Sequence, residues 1–328
     1  MQSTRNRDGR LRPVGDPLVI VGYASKGDKT LLEHHAQKEY FHTIVERWLR
    51  FCSDHNKHLD DALASLPLSS STDATSNPPA AKSKEASTET SGPATKSVPP
   101  SMELSTLLLS LRKLREGITA SAVTTPIEFS QRVHYFSIRL SILAHHPPSY
   151  FPSLRHCLDQ LHSASHPFAH SEIKEMYSYL ILDYACRQDD MAAAFRLRAR
   201  ARQEYGFQSQ NIDRVLLALI HGNWIMFWKV CKKVDSYLHA IMKWAVDRVR
   251  RNALKSVGSA YLSVPIDWVL GGCTGDDESW TWEKLAAAEN LKWEREKNDD
   301  DDRIIIRRPR RPKPQLQELE QISEQCEP

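Results

Sequence analysis

The residues that look readiest for chemistry sit near the start of the chain. Leu18–Val21 is a short apolar run, and Gly22–Thr30 follows it as GYASKGDKT. A phosphate-binding loop has this general form. A strand leads to a glycine-rich turn whose backbone N–H groups surround the phosphates, and a lysine directly after the second glycine folds back over them. Here Asp28 stands between Gly27 and Lys29, placing a carboxylate where phosphate would sit. No strand–helix–strand pattern follows. A nucleotide-binding enzyme using residues 18–30 is the alternative this segment raises. The plainer expectation is a loop leading into a helix capped near Asp28 or Thr30.

Histidines number 14 and several are paired: His34-His35, His55 with His58, His145-His146, and His166 with His170. Spacings of three or four can bring two imidazoles to one helix face, as a zinc site requires. No HExxH occurs, no cysteine stands at ligand spacing, and His166 and His170 flank Pro167 as loop residues would. A serine nucleophile needs a positioned base and an oxyanion hole. There is no GxSxG, and the serines gather in a stretch too polar to hold one rigidly. The expectation is a protein with no catalytic centre, no metal, no cofactor and no small-molecule substrate.

Basic residues offer a different chemistry. Lys243, Arg248, Arg250, Arg251 and Lys255 lie on one helical stretch and are the candidate RNA contacts. Arg196, Arg198, Arg200 and Arg202 alternate with small or apolar residues; a solvated face paired with Asp189, Asp190 and Glu204 accounts for them. Arg307, Arg308, Arg310, Arg311 and Lys313 form a compact basic run, the candidate nuclear-import signal. A formal net charge of +3 over 328 residues is small, so any basic patch must be local. Six scattered cysteines without a CxxC pair read as reduced thiols. The start is polar, without the apolar core of a secretory signal, and no apolar run has the length of a membrane span. The expected setting is nucleus or cytoplasm, away from membranes.

The elements that would position these residues are helical. Residues 1–16 are polar and expected to be disordered. From about Thr30 to Leu66, Tyr40, Phe41, Ile44, Trp48 and Phe51 recur at spacings of three and four as one apolar stripe. That stripe predicts that residues 17–66 dock on the rest of the chain, since it would otherwise be exposed. Residues 67–101 are rich in Ser, Thr, Pro and Ala and are expected to be a disordered linker. From Met102 to about Tyr261 the helical pattern hardly stops. Leu104, Leu107, Leu108, Leu111 and Leu114 form its first stripe. Thr125 is expected to cap the next helix with Pro126 at its first position, and Pro147-Pro148 to break that helix. Further helices are expected at about 149–163, 171–186, 189–204, 209–220, 223–233 and 236–256. After Tyr261 the pattern changes. Val264–Leu270 is expected to be a short helix ended by Gly271-Gly272, and Trp280–Asn290 a second. Lys292–Glu296 and Arg303–Arg307 read as two strands around the acidic turn KNDDDD. The tail from 308 to 328 is charged, Pro-rich and expected to be disordered. Eight tryptophans, most of them in this half, read as core, with Trp224, Phe227 and Trp228 at helical spacing.

Helical pairs running into two short helices and a hairpin resemble the PCI-domain superfamily, most of all its GANP-type mRNA-export branch and related small subunits. Four stretches carry the resemblance: Glu172–Tyr184 (EIKEMYSYLILDY), Val215–Phe227 (VLLALIHGNWIMF), Arg248–Tyr261 (RVRRNALKSVGSAY), and Val264–Leu270 with Trp280–Ile306. They span about residues 125–307. The Cys- and Pro-containing signature of the long export scaffolds is not seen, so the proteasome regulatory particle, signalosome and translation initiation factor 3 branches stay open. The resemblance implies an all-α fold: a helical-repeat, PCI-like array over 102–261, capped by a winged helix with a small β-hairpin over 262–307. It implies a non-enzymatic scaffold subunit in nuclear mRNA processing or export, with Trp268, Trp280, Trp293, Ile304 and Ile306 as partner-binding residues of the winged helix. Its partners would be other protein subunits and, in the export branch, RNA. The acidic turn 298–302 disfavours groove reading of nucleic acid and favours protein–protein use.

Overall fold

The computed structural model describes residues 16–66, 99–275, 277–298 and 301–307. Most of the expected linker, Cys326 and the tail residues Arg308, Arg310, Arg311 and Lys313 lie outside them. The described chain is mostly helical with one small antiparallel sheet. It divides into two compact units, Met1–Gln208 with Asp235–Ile241, and Ser209–Val234 with Met242–Pro328.

The first unit begins with a short helix, α1 (Pro17–Ile20), capped by Asp16, whose side chain accepts from the Leu18 N–H at 3.0 Å. The apolar run is thus helical, not a strand. After two 3-10 turns come α2 (His34–Asp54) and α3 (Leu59–Leu63). These pack on α4 (Pro100–Ala120), across residues 67–98. The docking follows from the two leucine-rich and aromatic stripes. Leu18, Leu31, Tyr40 and Ile44 share one core with Leu107, Leu111, Leu114, Phe129 and Val133, and Phe41 and Trp48 pack against it half-buried. Polar ties close the seam. Arg47 pairs with Asp16 and, at 3.5 Å, with Glu103. Gln37, fully buried, donates to the Leu31 carbonyl and to the Ser121 hydroxyl, each at 2.8 Å.

The remaining helices of this unit are α5 (Ile127–Leu143), α6 (Pro147–His156), α7 (His170–Leu182) and α8 (Met191–Tyr205). Neighbours pack pairwise, α5 on α6 and α7 on α8. Two expected signals act differently from the sequence reading. Thr125 does not cap α5; its hydroxyl bonds to Gln37 and Ser121, and Pro126 occupies the cap position. Pro147-Pro148 opens α6, where a missing N–H costs nothing, while the break after α5 falls at His145 with φ 49°. Both α6 and α7 run on into single π-type turns, Cys157–Leu161 and Asp183–Arg187.

Two carboxylates, Glu175 half-buried and Asp183 buried, clamp these helices. Glu175 of α7 accepts from Arg139 Nη2 and Nε, at 2.7 and 3.0 Å, and from the Tyr135 and Tyr179 hydroxyls. Arg139 lies between the rings of Tyr135 and Tyr237, 4.7 and 5.0 Å from their centroids. Burial alone would push the Glu175 carboxyl up; its three donors outweigh that and hold it below the usual range. Asp183, fully buried in the π turn, accepts from Tyr150 at 2.6 Å and from Arg187 and Gln188 at 2.7 Å.

The second unit contains α9 (Gln210–Ile220), capped by Ser209, and α10 (Trp224–Cys231), capped by Asn223 after Gly222 at φ 62°. It also holds most of α11 (Ser236–Ala260). Then follow β1 (Ser263–Pro265), α12 (Ile266–Thr274), α13 (Trp282–Ala288), β2 (Glu294–Asn298) and β3 (Asp301–Ile305). The strand order is β1-β3-β2, antiparallel throughout, with Val264 opposite Ile304 and Arg295 opposite Ile304 on the other side. Val264-Pro265 therefore belongs to a strand, not to the start of a helix. Gly271 and Gly272 lie inside α12, which ends at Gly275 with φ 82°. The core joins Ala253, Leu254 and Val257 of α11 to Val264, Val269, Cys273, Trp282, Leu285 and Ile304.

Candidate interaction surface

The sheet and the helices around it decide which of the expected site residues reach solvent. β3 is the central strand, so its alternation sets one face inward. Ile304 is 0% exposed and belongs wholly to the core, which removes it as a partner contact. Ile306 is half-buried against the same core. Trp293 stacks on Trp282 with centroids 6.2 Å apart and rests over Gly258, whose missing side chain makes the room: an added Cβ would lie 2.9 Å from the indole. Trp280 packs against the core and under the Arg250 guanidinium, 4.3 Å from the ring centroid. Trp268 alone of the five is exposed, at 41%, in edge contact with the exposed Tyr261 at 5.6 Å. Leu262, next to Tyr261 in the sequence, is exposed as well. Its carbonyl accepts from the Ile306 and Arg307 N–H groups, so it is anchored to the end of β3.

The basic residues of α11 separate in the same way. Lys243, Arg251 and Lys255 are exposed on one stripe with Asp247 between the first two. Arg250 is buried and ion-paired with Asp247 and, at 3.3 Å, with Glu289. Together with Trp280 it ties α11 to the end of α13, and it is a structural cation, not an RNA contact. Arg248 is half-buried, lining a small recess with Trp224 and Phe227. Arg307 is exposed, and its guanidinium donates to the Gly258 carbonyl at 2.7 Å.

The hairpin is less uniformly acidic than its sequence. Asn298 pairs with Asp301, so the strands extend into the acidic run. Arg295 holds Asp302 through two bonds of 2.9 and 2.5 Å and reaches Glu283 at 2.7 Å. The Arg295 guanidinium accordingly holds the Asp302 carboxyl below its usual range.

A second exposed surface, on α9 and α10, was not foreseen. Leu217, Ile220 and Ile225 are each about half exposed. Ile225 and Met226 share a cleft of about 360 Å³ with Arg214, Lys229 and Lys233. The signal was present: VLLALI is too continuously apolar for a helix with one buried stripe, so some of it must face outward.

The phosphate-loop segment has no strand before it. The Asp28 carboxylate fills its mouth, accepting from Gly22 N at 2.6 Å, Thr30 N at 2.9 Å and the Thr30 hydroxyl at 2.6 Å. Those bonds, the Thr30 hydroxyl foremost, pull it down to about 2. Arg200 pairs with Glu204 as expected, and the Asp190 side chain caps α8. Among the described residues, no three His, Cys, Asp or Glu side chains gather as a metal site would need, and no helix is long and apolar enough to cross a membrane. Burial pushes the thiols of Cys157, Cys231 and Cys273 up to about 12, which keeps them protonated at neutral pH. No protein-family model matches the chain, and no curated protein matches it.

Proposed function

We propose that this chain is a non-enzymatic, PCI-like scaffold subunit whose C-terminal unit is a winged helix used for protein contact. The observation that carries the reading is the connectivity of that unit. A long helix leads to a short strand, two short helices and a hairpin, with the first strand paired to the last in the order β1-β3-β2. A winged helix has this arrangement, and paired helices precede it, as in PCI proteins. The partner face is the exposed Tyr261, Leu262 and Trp268. The setting is nuclear mRNA processing or export. RNA, where contacted, meets the exposed Lys243, Arg251 and Lys255, at a strength that falls with salt.

Affinity purification of the tagged full chain from its own cells, with and without RNase, tests this. Export or splicing factors that Trp268→Ser and Tyr261→Ser variants fail to recover support the reading in full. Proteasome, signalosome or initiation-factor subunits keep the scaffold role and move the setting. Recovery unaffected by both substitutions overturns the assigned face. Recovery of no such complex overturns the scaffold role.

A further inference from the structure

The first unit contains a cleft that the scaffold reading does not use. It has a volume of about 620 Å³ and lies between α4 and the start of α6. Its walls are apolar, with Leu66, Leu108, Leu109, Pro148 and Pro152. Its charged and polar groups converge from both helices: Arg112 and Arg115 from α4, His146 and Ser149 from α6.

Arg115 meets no carboxylate in this cleft. The Arg115 guanidinium donates to the Ser149 carbonyl at 2.8 Å, to the Ser153 hydroxyl, and weakly to the Leu111 carbonyl at 3.4 Å. All three acceptors are neutral. Arg115 is half-buried, and a guanidinium partly withdrawn from water is usually met by a carboxylate, because an unpaired charge there is costly. Burial, with Arg112 adding to it, accordingly lowers Arg115 to about 10. His146 has its Nδ1 at 2.9 Å from the Ser149 hydroxyl, and burial followed by the Arg115 charge lowers it too. His134 and His156 lie ring to ring, centroids 4.7 Å apart and tilted by 41°, both lowered first by burial and further by Arg115. Neither ring nitrogen of the buried His134 has a hydrogen-bond partner. The carboxylate that answers Arg112 is Glu116, which is outside the cleft lining and accepts from Ser25 N at 2.7 Å.

We propose that this cleft is a binding site for a small phosphate monoester carrying an apolar body. Two guanidiniums, Arg115 held by its hydrogen bonds and Arg112 exposed over the Tyr23 ring, match the charge of about −1.5 to −2 on such a phosphate at neutral pH, and Arg presents paired donors to its oxygens. The volume is in the range of small-ligand sites, and the leucine and proline walls hold the apolar part.

Phenyl phosphate is the probe, titrated calorimetrically into the full-length protein, with inorganic phosphate, benzoate and phenol as comparisons. Phenyl phosphate is expected to bind tighter than each of the three. Arg112→Gln, on an exposed side chain, is expected to weaken it roughly tenfold or more, the loss of one charge-assisted contact, with the unfolding midpoint measured alongside. Arg115→Lys keeps the charge but loses the fork, and is expected to weaken phenyl phosphate more than benzoate. No heat at millimolar phenyl phosphate, equal binding by the Arg112→Gln protein, or phenol binding as tightly as the ester would each overturn the proposal.

Discussion

Glu175 ties α5 to α7: one arginine and two tyrosines from these helices end on its two oxygens. Glu175→Gln leaves Arg139 without a charged acceptor, so a loss of roughly 2–4 kcal/mol is expected in urea unfolding. The pH sign follows from the direction of its shift. A carboxyl held below its unfolded value of 4.5 stabilises fully above that value and ceases to as pH falls through the lower folded value. The wild type should therefore lose stability more steeply than Glu175→Gln on acidification below about pH 5. Arg250 shows what the sequence hid at this scale. In one dimension Arg248, Arg250 and Arg251 look alike. On a helix they point apart, and Arg250 falls three and seven residues before the buried Ala253 and Val257. Arg250→Ala is expected to cost roughly 3 kcal/mol, because it leaves the half-buried Glu289 unpaired. Hydrogen exchange should then quicken in α13.

Helix positions were legible where a stripe was long and a cap was local. Asn223 caps α10 through Met226 N at 2.9 Å, and Asn223→Ala should cost about 1 kcal/mol. Thr125 carried the same kind of signal but spends its hydroxyl on Gln37, a residue 88 positions away, and no local rule anticipates that. Thr125→Ala is thus expected to weaken the seam between α2 and α4–α5 while leaving the start of α5 intact, readable as faster proteolysis of residues 30–66 alone. Gly117 reports on the same seam. A Cβ there would lie 2.6 Å from the Leu31 carbonyl oxygen, a backbone atom that cannot turn aside. Gly117→Ala should destabilise the unit by roughly 1–3 kcal/mol.

Across the whole molecule, the helical class, the terminal hairpin and the docking of residues 17–66 could be read from apolar periodicity alone. The first strand of the sheet could not. β1 is three residues long and contains a proline, too short for a period of two and marked by a helix-start residue. Its identity comes from its partner: Val264 is a strand because Ile304 is beside it. The partner-facing residues were legible as aromatic and apolar but not as exposed, since burial of Ile304, Trp280 and Trp293 is decided by residues tens of positions away. Exposure of Trp268 without core duty implies that Trp268→Ser leaves the unfolding midpoint within about 0.5 kcal/mol of wild type.

The core of the first unit is assembled from Leu18 to Ile44 on one side of residues 67–98 and from Leu107 to Leu140 on the other. Its two halves are held by contact and merely tethered by sequence. A single cut between Leu66 and Pro99 would turn that intramolecular association into a bimolecular one. The nicked protein should keep its full helical signal at high concentration and, on dilution, lose the share carried by residues 17–66 and the seam they form with α4. Two separately expressed fragments, residues 1–66 and 99–328, should restore it on mixing.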